Sequence, residues 1–296
     1  MSWTQDNLTS VEKLLFASAA VKVGDFVCAA DHPCFAVSES LDNDVFVMPK
    51  MPVWVSRDDG DFRFVEPGAI VMHRAGQTLS RRQAADAGEK TYWFGVHPDI
   101  FLDALLRHEL PTDRMGGALL LLPQFRYRVA QLIRRLEIGM LDRLTVEESV
   151  LELFFDICAL RAKRQQRIEA SHGATKRRQR RLVDRARAYI DANLNKNMGL
   201  ETVAAAAGTS LYHLCRVFRR QTGLTMHAYR TQQRLWHVTE HLLQGDGENL
   251  TNLALEQGFS SHSHLSRVFQ KQMGLSPSAL RNREGRQTCV LSRSFL

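Results

Sequence analysis

The sequence predicts an α+β protein: a small N-terminal β-barrel, a helical segment, and a C-terminal all-α domain with two helix-turn-helix units. Short β-branched and aromatic runs separated by turn residues occupy the first third. Helical spacing replaces them after about residue 97. Near the end, one stretch of helical pattern occurs twice. A chain of 296 residues with 44% hydrophobic content is enough for two domains with separate cores.

Five strands are predicted between residues 44 and 96, in a domain covering 1–97. Turn signals separate them, above all Glu66-Pro67-Gly68 and Ala75-Gly76. The strands are Asp44–Met48, Pro52–Val55, Phe62–Val65, Ala69–Met72 and Tyr92–Val96. Many short strands of this kind indicate a small barrel or sandwich.

A small barrel can hold a ligand at its mouth, so we expect a small-molecule effector there. The polar and aromatic candidates for its pocket are Trp54, Arg57, His73, Arg74, Tyr92 and Trp93. Each of these residue types is also common in an ordinary core or surface. We find no cluster of histidines with a glutamate, so we expect no metal and no cofactor.

The segment 98–170 is predicted to be helical. Helices are expected at Asp99–His108 and Pro123–Ile138, and a third from Thr145. Thr145 with Glu148 three residues later matches a capping box. The third helix has a broad apolar face, which either packs on the barrel or forms a contact with another chain.

The interdomain linker is predicted at 171–181, where small residues precede a basic run. A helix at Leu182–Leu194 then begins the domain 182–296. From residue 176 onward there are 19 Lys and Arg against 8 Asp and Glu, whereas residues 1–175 have 20 against 24. The positive charge of the chain therefore lies in its last part, as expected of a nucleic-acid-binding domain.

The repeat appears when the sequence is shifted by 51 residues. Eleven of the 21 positions from Ser210 to Arg230 are then identical, including Ser210 with Ser261 and Gly223 with Gly274. In each copy a helix is stopped by glycine and a second helix begins after a serine cap, which predicts helix-turn-helix units at about 198–222 and 248–273.

The second helix of each unit has an apolar stripe and a polar face. Leu214, Val217 and Phe218 form the stripe in the first copy. The outward face suits a DNA groove, because arginine can pair bidentately with guanine. A face that is only solvated is the alternative, but both copies keep the same outward arginine, at 216 and 267.

The segment 253–269, followed by Gly274-Leu275-Ser276-Pro277 and Arg281, resembles the C-terminal signature of AraC/XylS-type transcriptional regulators. The resemblance covers roughly 100 residues. It implies seven helices, with two helix-turn-helix units joined by a long helix and a recognition helix of each entering the major groove of promoter DNA. The first third more weakly resembles the cupin-like domain of such regulators, in which a helix after the barrel often forms a homodimer interface. RNA polymerase is a further expected partner if the protein is an activator.

The predicted DNA contacts are divided by their expected targets. Those expected to face bases are Tyr212, Cys215, Arg216, His262, Ser263 and Arg267. Those expected to contact phosphate are Ser210, Arg219, Arg220, Ser261 and Lys271.

Other functions were weighed against this one. Cys28, His32 and Cys34 are close enough in sequence to suggest a redox or metal sensor, but no second ligand pair lies nearby. His237 and His241 lie one helical turn apart without a third ligand. No common catalytic motif occurs, so we expect no enzyme. A helical adaptor that binds a protein partner is the other alternative.

The location of the protein is expected to be cytoplasmic. The sequence contains neither a long apolar span nor a signal-peptide pattern. Its five cysteines are scattered and odd in number, which favours a reducing compartment.

Overall fold

The fold was analysed in a computed structural model. It describes residues 11–32, 35, 38–58, 60–84, 88–112, 117–166, 173–196, 198–244 and 249–282. The predicted α+β class is confirmed, with antiparallel sheets in the first half and helices in the second.

The strands form two antiparallel sheets. The first has the order β1-β2-β9-β4-β7-β10 and the second the order β3-β8-β5-β6. In the described residues no strand pairing joins the two sheets into a closed ring, so the predicted barrel is a pair of facing sheets. The strands are β1 (Val11–Ala17), β2 (Val21–Cys28), β3 (Glu39–Ser40), β4 (Val45–Pro49), β5 (Val53–Arg57), β6 (Arg63–Val65), β7 (Ala69–His73), β8 (Thr78–Gln83), β9 (Glu89–Val96) and β10 (Leu119–Leu120).

The five predicted strands correspond to β4, β5, β6, β7 and β9. The other strands were not predicted individually. Several of them contain charged residues, as in the Thr78–Gln83 segment, where Arg81 is nevertheless buried. Charged residues are unfavourable in strands on average, and here pairing partners outside the strand make the arrangement possible.

Three helices follow the sheets. They are α1 (Pro98–Arg107), α2 (Pro123–Glu137) and α3 (Arg143–Gln166), as predicted except at the start of α3. The capping box at Thr145 is wrong. The Asp142 carboxylate caps the helix instead: it accepts a hydrogen bond from the Thr145 backbone N–H at 2.8 Å. Hydrogen bonds from the backbone N–H and the hydroxyl of Thr145 also lower the pKa of the Asp142 carboxyl group. An aspartate at this position satisfies a free N–H at the helix start, so the helix begins earlier.

The helices cover one face of the first sheet. Phe46 of β4 stacks on Phe94 of β9 with ring centroids 4.7 Å apart, and Phe154 of α3 packs against both Phe46, at 5.8 Å, and Phe101 of α1, at 4.8 Å. All four side chains are fully buried. This aromatic cluster joins the sheet to the helical segment.

The second half is helical. Its helices are α4 (Gly173–Asp191), α5 (Leu200–Ala207), α6 (Leu211–Thr222), α7 (Met226–Gln244), α8 (Leu250–Glu256) and α9 (His262–Met273), and residues 277–282 form a further helical segment. Between residues 173 and 282 this gives the seven helices that the resemblance implies. Helix α4 begins well before the predicted Leu182, so the predicted linker 171–181 is helical from Gly173 onward. Residues 171 and 172 lie outside the described ranges.

Two cores meet along α7. Met226 and Tyr229, near its start, are buried with α4, α5 and α6. Leu235 and Trp236, further along, are buried with α8 and α9. This second core is continuous with the core of the first half through α2, which packs against α7 and α9. The same helix therefore supports both helix-turn-helix units.

The β6–β7 turn lies against the helical half. Glu66 is fully buried and forms an ion pair with Arg187 of α4. Gly68, with φ +71°, lies against the Arg126 side chain, where an added Cβ would come within 3.0 Å of Cδ. Because a side chain at this position would be both strained and crowded, glycine lets the turn approach α2 closely.

Two further polar contacts join the halves. Arg63 of β6 donates to the buried Asp184 of α4, with Nε and Oδ2 2.5 Å apart. Arg126 of α2 donates to Gln233 of α7 at 3.1 Å, and its guanidinium lies 5.6 Å from the Trp236 ring centroid. Removing one partner of such a buried pair leaves a charge or polar group without a partner, which typically costs several kcal/mol.

Within the described ranges, no helix is both long enough and apolar enough to cross a bilayer.

This junction should make stability depend on pH. Asp191 of α4 is near Arg187 and Arg126, but burial outweighs their attraction and raises its pKa from 3.8 to about 7. The folded chain thus retains a proton that the unfolded chain releases near pH 4. Between these values the free energy of unfolding loses up to about 1.4 kcal/mol per pH unit as pH rises.

We predict that Asp191→Asn will be increasingly stable relative to the unsubstituted chain as pH rises from 5 to 8, because an amide does not have to ionise. Urea unfolding at several pH values measures this difference. Glu201→Gln, at an exposed acid of α5, is the matched control and should show no such trend. Parallel stability curves for Asp191→Asn and the unsubstituted chain would contradict the assignment.

Candidate nucleic-acid interface

The first helix-turn-helix unit has the geometry that its sequence predicts. Helix α5 ends at Gly208, which is left-handed with φ +73° and ψ +41°. Ser210 then caps α6, its hydroxyl accepting from the His213 backbone N–H at 3.4 Å. Gly223, with φ +77°, ends α6. The glycines permit left-handed backbone, so each helix can stop within one residue and the chain can turn sharply.

The second unit repeats this geometry. Gly258 follows α8 with φ +74°, Ser261 caps α9 through the His264 backbone N–H at 3.1 Å, and Gly274 ends α9 with φ +74°. The repeat extends to the next cap. Thr225 Oγ1 accepts from the Ala228 backbone N–H, and Ser276 Oγ accepts from the Ala279 backbone N–H, both at 3.1 Å. The sequence repeat is thus a repeat of local structure.

The outward face of α6 is exposed as predicted. Leu214, Val217 and Phe218 are fully buried, whereas Tyr212 is 79% exposed. Exposed together with it are Cys215, Arg216, Arg219 and Arg220. A tyrosine this exposed contributes little to the core, so its surface is available to a partner.

The outward face of α9 is more polar and less cationic. Ser263, Arg267 and Lys271 are exposed. His262 is partly buried and its Nε2 lies 3.3 Å from the Ser266 hydroxyl. Arg267 lies at the same repeat position as Arg216, so the matched helices present the same arginine to solvent.

Three of the predicted phosphate contacts have structural roles as well. Ser210 and Ser261 use their hydroxyls as helix caps. Arg220 donates to the Gln179 side chain of α4. Helix N-termini with free N–H groups favour phosphate, so a serine cap at the start of α6 or α9 is compatible with a nearby phosphate.

Comparison with known proteins identifies the family. A family model described as "Helix-turn-helix domain" matches residues 203–283. The chain is 31% identical over 191 residues to the transcriptional activator RhaR of Klebsiella pneumoniae, covering 64% of this chain and 63% of that one. It is 30% identical over 95 residues to the probable transcription factor PqrA of Proteus vulgaris, covering 31% of this chain and 77% of that one. The chain belongs to the AraC/XylS family of transcriptional regulators.

Among solved structures, the chain is similar to a probable AraC family regulator from Rhodopseudomonas palustris, with 29% identity and a TM-score of 0.33. That match covers 35% of this chain and 96% of the other. The chain spans slightly less than two thirds of its RhaR relative. The family model lies within the helical half, from α5 to α9.

The first half of this AraC/XylS chain has a cavity of about 60 Å³ between its two sheets. Of the predicted pocket residues, His73 and Trp93 line it. The other lining side chains are apolar except for Glu12, Arg81, Glu89 and Thr91. Glu12, Leu41, Val45 and Trp93 also line an open groove of about 410 Å³, so the cavity and the groove adjoin.

Four predicted pocket residues lie elsewhere. Tyr92 is buried on the helix-covered face of β9, because side chains alternate along a strand and Trp93 takes the other face. Trp54 packs edge-on against Phe64 at 5.3 Å. Arg74 is paired with Asp44 at 2.7 Å, and Arg57 donates to the Met72 backbone oxygen at 3.4 Å.

Three polar atoms of the cavity lining are without hydrogen-bond partners in the described protein. They are Nδ1 of His73, Nε1 of Trp93 and Oε2 of Glu89, and the last of these lies 3.6 Å from Arg81 in an ion pair. Burial and nearby arginines lower the pKa of His73 well below its usual value, so its imidazole is neutral. An unpartnered buried N–H or ring nitrogen is unfavourable unless water or a ligand satisfies it.

The alternative metal or redox site, with cysteine and histidine ligands, has no support in the described residues. Cys28 is buried beside Phe26, Phe35 and Trp93, and Cys34 lies outside the described residues. Burial lowers the pKa of His237 to about 4. In the part of the chain that the structure describes, no three His, Cys, Asp or Glu side chains come together as a metal site would require.

Sequence reasoning missed two arginines of this AraC/XylS domain. Arg230 and Arg234 of α7 both donate to the Leu194 backbone oxygen. They are absent from the predicted sites because their partner is a backbone oxygen some forty residues away, which no side-chain pattern reveals. The sequence signals are their spacing of one helical turn and, for Arg230, its identity with Arg281 in the repeat.

Proposed function

We propose that this protein is an effector-responsive transcriptional regulator that binds promoter DNA through α6 and α9. The observation that carries the proposal is the repeated exposed arginine. Arg216 and Arg267 lie at the same position of two helices that have the same serine cap, a matching apolar stripe and the same glycine stop. Packing does not require an arginine at either position, because both side chains are exposed.

Arginine at these positions suits base recognition. Its planar guanidinium can donate two hydrogen bonds to guanine O6 and N7 in the major groove. The neighbouring side chains are proposed to have different targets on DNA. Bases are proposed to be contacted by Tyr212, Cys215, His262 and Ser263, and phosphates by Arg219 and Lys271. RhaR and PqrA, which this chain resembles, are named as a transcriptional activator and a probable transcription factor. Activation of transcription, through contact with RNA polymerase, is part of the proposal.

We predict that Arg216→Ala and Arg267→Ala will each weaken binding by about 1–3 kcal/mol, or roughly 5- to 150-fold in Kd, and relax the preference at one base pair. A gel-shift titration measures this on a duplex that the unsubstituted full chain selects from a random library. Lys271→Ala is the matched control. It should weaken all sequences alike and reduce the salt slope by about one.

The rival function is a helical adaptor for a protein partner. Salt separates the two, because binding through many phosphates weakens steeply with ionic strength. If both arginine variants bind the selected duplex as tightly as the unsubstituted chain, α6 and α9 are not recognition helices. Binding that is insensitive to salt would favour the adaptor.

The effector is proposed to bind between the sheets. His73 is 98% buried and neutral, and the Trp93 indole N–H offers a donor to the cavity. The rest of the lining is apolar apart from Glu12, Thr91 and the ion-paired Arg81 and Glu89. Such a site favours a small, uncharged molecule with an oxygen acceptor, since burying an ion there without a partner is costly. The adjoining groove gives it a path from solvent.

Effector binding is proposed to act through the junction of the two halves. Glu66 and Arg63 are in β6 and its turn, in the sheet that forms one wall of the cavity, and both pair with α4. A ligand that moves this sheet changes the contacts that hold the DNA-binding half. The effector would then shift an existing equilibrium between arrangements of the halves, to the extent that it binds one arrangement more tightly.

Homodimer formation is proposed to use α3. Leu144 is 64% exposed and Phe155 38% exposed on this helix, more than its core role requires. Sedimentation of the full chain gives the oligomeric state directly.

We predict that Trp93→Phe will weaken effector binding about tenfold, the effect of losing one hydrogen bond to a buried donor. Thermal shift with a panel of small neutral phenols and alcohols identifies a compound that stabilises the unsubstituted chain, and its titration gives the affinity. Trp54→Phe, at a tryptophan outside the cavity, is the matched control. Equal losses in both variants, or a panel without any stabilising compound, would contradict the proposed site.

A further inference from the structure

Arg234 of α7 binds the first helix-turn-helix unit through its backbone. Its Nε and Nη2 donate to the Leu194 oxygen at 2.7 and 2.5 Å. Leu194 lies between α4 and α5, and its side chain packs on the core of the first unit. Desolvation by burial lowers the pKa of Arg234 to about 10, so the guanidinium is still charged at neutral pH.

The same guanidinium lies against the turn of the second unit. A Cβ built on Gly258 would come within 2.4 Å of Nη2 and 2.7 Å of Cζ of Arg234. The guanidinium also lies 5.9 Å from the Phe259 ring centroid. Phe259 in turn contacts His264 of α9 edge to face at 5.5 Å. A continuous set of contacts thus runs from the first unit, through Arg234, to the start of the second recognition helix.

The position of Arg234 along α7 adds to this argument. The helix passes from the first core, with Tyr229, to the second, with Leu235. Arg234 lies at this change, where α7 has no single core to fix its orientation. An arginine side chain suits the place, because its planar fork can donate to one backbone oxygen while its flat face packs on a glycine turn.

Arg230 provides a comparison within the same helix. It also donates to the Leu194 oxygen, at 3.2 and 3.1 Å, and to the Lys196 oxygen. Both partners lie in the segment between α4 and α5, next to the first unit. The contact with the second unit's turn is made by Arg234, four residues further along.

We propose that Arg234 is a positioning residue that fixes α6 and α9 relative to each other, and so determines which spacing of two half-sites the protein accepts in DNA. The proposal rests on the proposed function for its consequence, but the geometry itself can be tested without DNA. Two linked contacts reinforce each other only when both can form together, so a loosened arrangement loses affinity for the correct spacing and tolerates wrong ones.

The test uses Arg234→Met in the full chain and the duplex that the unsubstituted chain selects. Derived duplexes have the spacing of the two boxes changed by one base pair, which moves the second box by about 3.4 Å and turns it by roughly 35°. We expect the variant to bind the selected duplex about tenfold more weakly and to lose most of its preference over the shifted duplexes. A duplex with the second box scrambled should be bound within about twofold of the unsubstituted chain.

Arg230→Met is the matched control, with the same change of charge and shape on the same helix. It should keep the spacing preference. Equal weakening of Arg234→Met on single-box and two-box duplexes, or an unchanged spacing preference, would overturn the proposal, because a residue that only stabilises the fold or attracts phosphate gives those results.

If Arg234→Met does not fold, Arg234→Lys replaces it in the test. It keeps the charge but lacks the planar fork, so it should also flatten the spacing preference, and an unchanged preference overturns the proposal. If the unsubstituted chain selects no duplex, the proposed function fails. The positioning is then tested by distances between spin labels at Cys215 and Ser263→Cys, in a chain with Cys34→Ser and Cys289→Ser. Arg234→Met or, if that does not fold, Arg234→Lys should broaden this distance, and an unchanged distribution rejects the role.

Discussion

The arrangement of the helical half depends on α7, a single helix buried in two cores. Its first turns pack into the first unit through Met226 and Tyr229, and its later turns into the second unit through Leu235 and Trp236. Because a helix is stiff along its length, whatever holds α7 holds both α6 and α9. In the proposed function, their exposed faces can read DNA only to the extent that this helix keeps them at a constant distance and angle. The two copies of the repeated sequence are therefore held in one arrangement by the helix that they share, α7.

The junction with the sheets extends this dependence to the first half of the chain. Gly68 allows the β6–β7 turn to approach Arg126 closely. The same turn places Glu66 against Arg187 of α4. The second core is continuous with the helices that cover the sheet. The inter-sheet cavity and the helical half are thus joined by packed and ion-paired contacts. Several of these ionic groups are buried, a costly arrangement in which loss of one partner leaves the other unsatisfied.

Local features of the fold were predictable from the sequence, and distant ones were not. The caps Ser210 and Ser261 and the glycine stops follow from the preferences of single residues at helix ends, and the exposed arginines from helical periodicity. The capping box at Thr145 failed because Asp142 offers a stronger acceptor three residues earlier. The pocket set was wrong about Tyr92 because neighbouring residues of a strand face opposite sides. The junction and the role of Arg234 could not be predicted, since the contacting residues lie from about 24 to over 100 positions apart in sequence.

The central claim is that two rigidly related helices contact one face of DNA. Hydroxyl-radical footprinting of the full chain on its selected duplex tests it most directly. Two recognition helices in successive major grooves predict two protected patches on one side of the duplex, about one helical turn apart. The DNA backbone on the opposite side should remain open to cleavage. A single patch, protection on opposite faces, or no protection in a complex that forms would contradict the account.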